Sequence, residues 1–204
     1  MRLVVRPSLL DGQVAAPKSK SLMQRFIAAA TLAKGTTIIR EPAENDDSLH
    51  GIYCARALGT QVDFENDNLH LTGNLNWSEA PLNVGESGLG MRLYIPIASL
   101  FDKGVKVIGE GSLRTRPIDA FEDILPALGV NFRSRSGRLP VTVNGPLLGG
   151  TATIDGSVSS QFLSGLLMAL PLAKHDSTIQ VDNLKSIPYV DMTLEVLRSF
   201  GIFI

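Results

Sequence analysis

Glycine recurs at residues 59, 129 and 201, spaced 70 and 72 positions apart, each time at the same point of a longer pattern. The stretches 29–64, 97–134 and 169–204 align on it. Each runs from the end of one helix through a turn (Lys34-Gly35, Lys103-Gly104 or Lys174-His175-Asp176) into a short strand rich in β-branched residues, "TTII", "VKVI" or "STIQV". A polar loop, a second amphipathic helix, the glycine and another strand follow. A helix that stops tightly before a strand favours a residue tolerant of the left-handed conformation just past its end, so the glycines punctuate a repeat. Ahead of these stretches the pattern predicts three further helices, at about 22–33, 90–101 and 161–173, each more apolar than its partner helix. The unit reads strand–helix–strand–helix–strand–strand, three times over, across about 17–78, 79–148 and 149–204. Its second helices are expected to begin at "ENDDS", "LRTRP" and "LKSIPY", with Pro117 and Pro188 in their first turns, where a missing amide is harmless. One strongly apolar helix per unit implies that those three pack together at the centre with sheets outside them. Two units close on hairpin-like pairs, "TQVDFENDNLHLTG" and "VNFRSRSGRLPVTVNG". The third stops at "GIFI", as expected of a truncated chain.

A chain of 204 residues buries a substantial core as one large domain or two small ones. No apolar run approaches the roughly 20 residues of a membrane span. "MRLVVRPSLLDGQVAAP" reads as strands and turns and not as an export signal. Nineteen basic and twenty acidic residues leave a net charge of −1, which gives no electrostatic case for nucleic acid or an anionic membrane. Cys54, the single cysteine, sits in the helical pattern "LHGIYCARALG" and reads as a buried inert thiol. One cysteine excludes an internal disulfide and suits a reducing cytoplasm, where the protein is expected. His50, His70 and His175 are scattered, so no metal site is expected.

The chemistry lies at the helix starts. The apolar helices are entered by "PKSKSLMQR" (17–25), "VGESGLGMR" (84–92) and "GSVSSQF" (156–162), all with Ser or Gly in the last positions. One serine caps a helix; the four small polar residues Ser157, Ser159, Ser160 and Gln161 are more than a cap needs. Helix N-termini present free amides and positive partial charge, and Lys or Arg beside them makes an anion site. If the repeat points these starts to one end, Lys20, Arg25, Arg92, Arg114, Arg116 and Lys185 gather near one surface, as a phosphate or carboxylate site assembled from pieces. Local motifs add little: "KSKS" is no P-loop, and "GEGSLR" lacks the third glycine of a dinucleotide fingerprint. Asp46 and Asp47 read as the start of a helix and not as a metal pair.

From about Asp11 onward these residues resemble the 5-enolpyruvylshikimate-3-phosphate synthase family, the 3-phosphoshikimate 1-carboxyvinyltransferases. "SKSLMQR" resembles the family's S-K-S-x-x-x-R entry and "GEGSLRTRP" its G-x-x-x-L-x-x-R-P loop. "DGSVSSQFLSGLLMALPLA" and "SIPYVDMT" are close to its most distinctive motifs. The resemblance implies an α/β fold, an inside-out α/β barrel of three βαβαββ repeats (the enolpyruvyl transferase domain) with the third repeat truncated. It implies that 17–204 is the shikimate-phosphate-binding domain. Residues 1–16 would be a strand segment and hinge belonging to a second domain. By position, Ser21 and Arg25 would hold the hydroxyl and carboxylate side of shikimate 3-phosphate, and Ser159, Ser160 and Ser186 its phosphate. Gln161 and Tyr189 would contact its ring or the reacting pair. Lys20, taken as catalytic and as touching both substrates, would face phosphoenolpyruvate together with Arg116, the amide of Gly88 and Gln161.

The implied reaction transfers the carboxyvinyl group of phosphoenolpyruvate to the 5-hydroxyl of shikimate 3-phosphate, by addition and then elimination of phosphate. It needs no metal or organic cofactor. The missing second domain is the implied partner, the full-length protein is expected to be a monomer, and this half alone is expected to be inactive. One departure stands inside the motifs: the family's Asn-x-Gly-Thr is Glu86-Ser87-Gly88-Leu89 here, which brings a carboxylate toward a doubly anionic substrate. Two other readings compete. A UDP-N-acetylglucosamine enolpyruvyl transferase would share the architecture, but its reactive-cysteine loop has no counterpart in the Cys54 helix. A noncatalytic phospho-ligand binding module would keep the half-site alone.

Overall fold

The computed structural model describes residues 2–204. Helix α1 (Lys20–Leu32) is followed by β1 (Gly35–Arg40), α2 (Asp46–Ala57), β2 (Gln61–Glu65) and β3 (Asn68–Gly73). Then come β4 (Leu82–Asn83), α3 (Gly88–Ala98), β5 (Val105–Ile108), a 3₁₀ segment (Gly111–Thr115), α4 (Ala120–Ala127), β6 (Asn131–Arg133) and β7 (Val141–Asn144). The last elements are β8 (Gly150–Asp155), α5 (Ser160–Ala169) with a 3₁₀ turn (Leu170–Leu172), β9 (Ser177–Asp182) and α6 (Ile187–Ser199).

The three glycines do the same work three times. Gly59, Gly129 and Gly201 follow α2, α4 and α6 with φ of 93°, 84° and 80°. Their amides donate to Arg56, Pro126 and Arg198. The next amides, of Thr60, Val130 and Ile202, reach back to Ala55, Leu125 and Leu197. This is the Schellman closure of a helix, and its left-handed residue is what glycine supplies without a Cβ penalty. The β2–β3 hairpin turns tightly through Asn66 and Asp67 (φ 49° and 60°), whereas the longer β6–β7 connection, 134–140, bends through Ser136 and Gly137 (φ 54° and 67°). Paired positive φ values are the requirement of a type I′ turn.

The sheets have the orders β1-β3-β2, β4-β5-β7-β6 and β8-β9. Strands β4 and β5 are parallel, as are β8 and β9, whereas β3 and β7 run antiparallel to their neighbours. Among the described residues, the 79–148 unit carries all six elements of the repeat. The first unit has the last three strand positions of that sheet, and the third has the first two. The centre is helical. Every residue of α3 is buried, as is α5 from Phe162 to Ala169. A helix apolar on all sides has no face to give to water. α3 and α5 approach so closely that a Cβ on Gly165 would lie 1.9 Å from the Arg92 carbonyl oxygen. Cys54 is fully buried beneath this layer, its thiol donating to the Asn83 carbonyl at 3.4 Å, and burial pushes its pKa up.

One segment stands apart from the fold and one expectation fails locally. Residues 2–19 form no strand and are exposed, with Val5, Leu9 and Leu10 almost wholly solvated; no strand edge among the described residues pairs with them. Pro117 also lies outside its helix, because "LRTRP" does not start α4. The segment closes the 3₁₀ turn, Arg116 N–H donating to Leu113, and the Pro117 carbonyl is taken by Arg92 at 3.2 Å, so α4 starts only at Ala120. No helix is long and apolar enough to cross a membrane, among the described residues.

Candidate functional site

Each of the three central helices begins on a serine cap: Ser19 accepts from Leu22 N–H, Ser87 from Gly90 and Ser159 from Gln161. Ser159 therefore satisfies one orphan amide of α5. Ser160, buried as the first helical residue, is surplus to the cap. At the start of α6, Ser186 is left-handed (φ 56°, ψ 41°) and makes no side-chain cap, so its hydroxyl is uncommitted while its backbone is strained. These helix starts open on one cleft of about 280 Å³, lined by Ser21, Arg25, Ser159, Ser160, Gln161, Ser186 and Tyr189 together with Leu89 and Val158. Two helix N-termini, four hydroxyl-bearing serines and a guanidinium make a concave donor surface with no carboxylate in its lining.

Arg25 is its floor, only 1% exposed. Nε donates to Thr193 Oγ1 (2.8 Å), Nη1 to the Ser21 carbonyl (2.9 Å), and Nη2 to Ser164 Oγ and the Tyr189 carbonyl (both 3.2 Å). All are neutral acceptors. Burial pushes the guanidinium pKa down to about 10, with Tyr189 opposing, so it stays charged at neutral pH. A buried cation without a carboxylate is expensive unless an anion arrives to share the site.

Beside the cleft, Arg92 (7% exposed) donates through Nη1 to the Gly88 carbonyl (3.1 Å) and to Gln161 Oε1 (3.2 Å), over the face of Phe162 at 4.7 Å. A guanidinium only donates, so this bond turns the Gln161 amide nitrogen away from Arg92 and leaves it free to donate. Burial pushes Arg92 down to about 10, and the Arg116 charge adds to the shift. Arg116 lies against Gly88: a Cβ there would sit 2.6 Å from its Nη1. Gly88, Arg116 and Gln161 thus meet around Arg92.

Lys20 is placed differently from its neighbours. Its ammonium is not in the cleft lining but pairs with Asp47 at 3.0 Å. Asp47 is held by Gln24 Nε2 (3.1 Å), whose Oε1 accepts from the Ser87 hydroxyl (2.9 Å). Asp47, Gln24, Ser164 and Thr193 were missed in the sequence. The signals available were a polar residue inside an apolar helix (Ser164) and the i, i+4 spacing of Tyr189 and Thr193. Of the six expected cations Arg25 alone lines the cleft, Arg92 and Arg116 stand beside it through Gln161 and Gly88, and Lys20, Arg114 and Lys185 do not join. Arg114 donates through Nε to the Gly109 carbonyl (2.9 Å) and lines another cavity, because the 3₁₀ segment turns it away from Arg116. Lys185 stands outside the cleft lining and acts on Asp155.

Glu86 does not enter the cleft lining either. Its carboxylate accepts from Ser112 N–H and Oγ, both at 2.9 Å, capping the 3₁₀ segment that ends at Arg116. The Ser112 backbone bond, then its hydroxyl, and also Arg116 hold the Glu86 pKa below the ordinary carboxylate value against a small desolvation penalty. Because the folded-state pKa lies below the unfolded one, this stabilisation is complete above about pH 4.3, the unfolded value, and is lost as pH falls through the folded one. Urea midpoints of the parent should therefore fall more steeply with acid than those of Glu86→Gln. Identical acid limbs would show that the contact carries no linkage.

Ser186 yields a prediction of opposite signs. Ser186→Gly should raise stability by about 1 kcal/mol by relieving the left-handed backbone. It should also weaken binding of a phosphorylated ligand by about tenfold through loss of the hydroxyl. Thermal melts and calorimetry on one preparation test both.

Comparison with known proteins fits this geometry. The chain matches the family model of EPSP synthase (3-phosphoshikimate 1-carboxyvinyltransferase) over residues 4–204. Among curated relatives, the 3-phosphoshikimate 1-carboxyvinyltransferase of Clostridium kluyveri is 36% identical over 201 residues, covering 97% of this chain and 47% of the relative. That of Methanocorpusculum labreanum is 37% identical over 207 residues, covering 99% and 49%. That of Methanothermobacter thermautotrophicus is 39% identical over 198 residues, covering 95% and 47%. The EPSP synthase structure from Acinetobacter baumannii superposes with a TM-score of 0.80 at 25% identity, over 93% of this chain and 44% of that one. The chain spans about half the length of the relatives it matches.

Proposed function

The chain belongs to the EPSP synthase family, and from that premise we propose that its helix-start cleft binds shikimate 3-phosphate as one half of an enolpyruvyl-transfer site. The observation that carries the reading is the convergence of Ser21, Arg25, Ser159, Ser160, Gln161, Ser186 and Tyr189 on one cleft free of carboxylates, over a buried cation paired only with neutral acceptors. In this reading Ser159, Ser160 and Ser186 hold the phosphate with the N-termini of α5 and α6. Arg25, through its fifth N–H, and Ser21 take the carboxylate and hydroxyl side, and Tyr189 flanks the ring. Phosphoenolpyruvate lies toward Gly88 and Arg116, with the Gln161 amide between the two substrates and Lys20 at its edge.

The reaction joins the 5-hydroxyl oxygen to C2 of phosphoenolpyruvate, the hydroxyl giving up its proton as a proton adds to C3. The tetrahedral intermediate then loses phosphate from C2 and a proton from C3, restoring the vinyl group. Two anions repel, and the work of these residues is to bring them together in a fixed orientation. Lys20 steadies the departing phosphate, its ammonium held 3.0 Å from the Asp47 carboxylate. No carboxyl group lines the cleft, so binding and orientation are assigned to it and the protonation of C3 is not. A second domain is the partner in this reading, with 17–204 as the shikimate-phosphate domain, 1–16 as strand and hinge, and the repeat an inside-out barrel of three βαβαββ units. Calorimetry decides it: shikimate 3-phosphate should bind at least about tenfold tighter than shikimate, with the preference lost in Ser160→Ala. Equal affinity for both ligands would overturn it.

A further inference from the structure

A second cavity, of about 440 Å³, lies on the 79–148 unit, and every charged side chain lining it is basic: Lys106, Arg114, Arg135 and Arg138. We propose that this basin is a binding site for an organic phosphate, separate from the cleft at the helix starts and independent of the function assigned to that cleft.

The fold builds the concentration of charge. Arg135 and Arg138 flank the turn through Ser136 and Gly137, and Arg135 N–H donates to the Arg138 carbonyl at 3.1 Å. That bond sets the two residues opposite each other across the turn, and both arginines line the basin. Like charges there are destabilising unless an anion lies between them. The hairpin is pinned: Gly137 N–H donates to Ser134 Oγ (2.7 Å) and its carbonyl accepts from Ile118 N–H (2.9 Å). Arg114 is fixed through Nε to the Gly109 carbonyl. Lys106 projects from β5, where it pairs in register with Thr142.

No acid lines the basin: Glu86 is bonded to Ser112 and Glu110 to Asn83 (2.7 Å), while Glu122, on the Ser134 hydroxyl, and Asp119, packed against Gly137, stand behind the hairpin outside the lining. The ion pairs within 4.0 Å among the described residues are Lys20–Asp47 and Lys103–Glu79, and neither involves a basin residue. Four cations around one concavity with no acid in its lining focus a positive potential there. Ile108, Leu139 and Pro140 add an apolar wall, which suits a phosphate carried on a carbon body over the free ion.

The test is an amide chemical-shift titration of the 204-residue chain with phenyl phosphate, and separately with inorganic phosphate. Phenyl phosphate is expected to shift the amides of 135–139 along one saturating curve, with inorganic phosphate reaching the same residues more weakly. The double substitution R135Q/R138Q should raise the dissociation constant at least about tenfold, while R40Q/R198Q, an equal charge change at exposed arginines elsewhere, leaves it unchanged. Unshifted 135–139 amides, or equal weakening by R40Q/R198Q, would overturn the site. Equal affinity for the two phosphates would overturn the organic part of the assignment.

Discussion

Gly165→Ala is expected to lower the melting temperature by about 10 °C, the equivalent of roughly 3 kcal/mol in a domain of this size. The added methyl would lie 1.9 Å from the Arg92 carbonyl oxygen and 3.1 Å from Pro96 Cγ. Backbone cannot step aside as a flexible side-chain end can, so α3 and α5 must separate, and both are buried around the contact. Alanine's better helix propensity, about 1 kcal/mol, opposes the loss and does not cancel it. The consequence reaches the site, because the strained carbonyl belongs to Arg92, whose guanidinium orients Gln161. An unchanged melting temperature would mean that the helices do not cross this closely.

Arg25→Met carries the largest expected effect on binding. Methionine fills similar space without the charge, so the change separates electrostatics from packing in a way that Arg25→Ala, which leaves a cavity, does not. Stability should change by less than about 1 kcal/mol, because the desolvated cation is removed together with its hydrogen bonds. Ser164 and Thr193 keep a hydroxyl–hydroxyl bond at 2.9 Å, and Thr193 still donates to the Tyr189 carbonyl. Affinity for shikimate 3-phosphate should fall by about a hundredfold or more, the usual consequence of removing one member of a buried charge pair. Arg25→Lys should not rescue it, since one ammonium cannot reach four acceptors arranged for a planar fork. Near-parental affinity in Arg25→Met would mean that Arg25 is structural only.

Much of this was legible in the chain because glycine and serine mark positions with a local physical cause. Gly59, Gly129 and Gly201 announce three identical helix ends, and Ser19, Ser87 and Ser159 announce three helix starts. The repeat suggested that the helix starts share one end, yet of the six cations it grouped only Arg25 lines the cleft; Ser21, Arg25, Ser159, Ser160, Gln161, Ser186 and Tyr189, which line it together, were named by the family resemblance. What was not legible depends on partners distant in sequence. Nothing near Glu86 indicates that its carboxylate will cap a segment at Ser112, and nothing near Lys20 points to Asp47. Pro117 misled for a related reason: its carbonyl is claimed by Arg92, 25 residues earlier, and the helix waits until Ala120. The strand pattern at the N-terminus has no edge to pair with among the described residues, and a strand is stable only against one.

The most direct test of the central claim is a crystal structure of this chain with shikimate 3-phosphate. The phosphate should lie at the start of α5, within hydrogen-bond reach of Ser160 and Ser186, with the carboxylate on the Arg25 side of the cleft. Ligand density in the basin between Arg135 and Arg138, with the helix-start cleft empty, would contradict it.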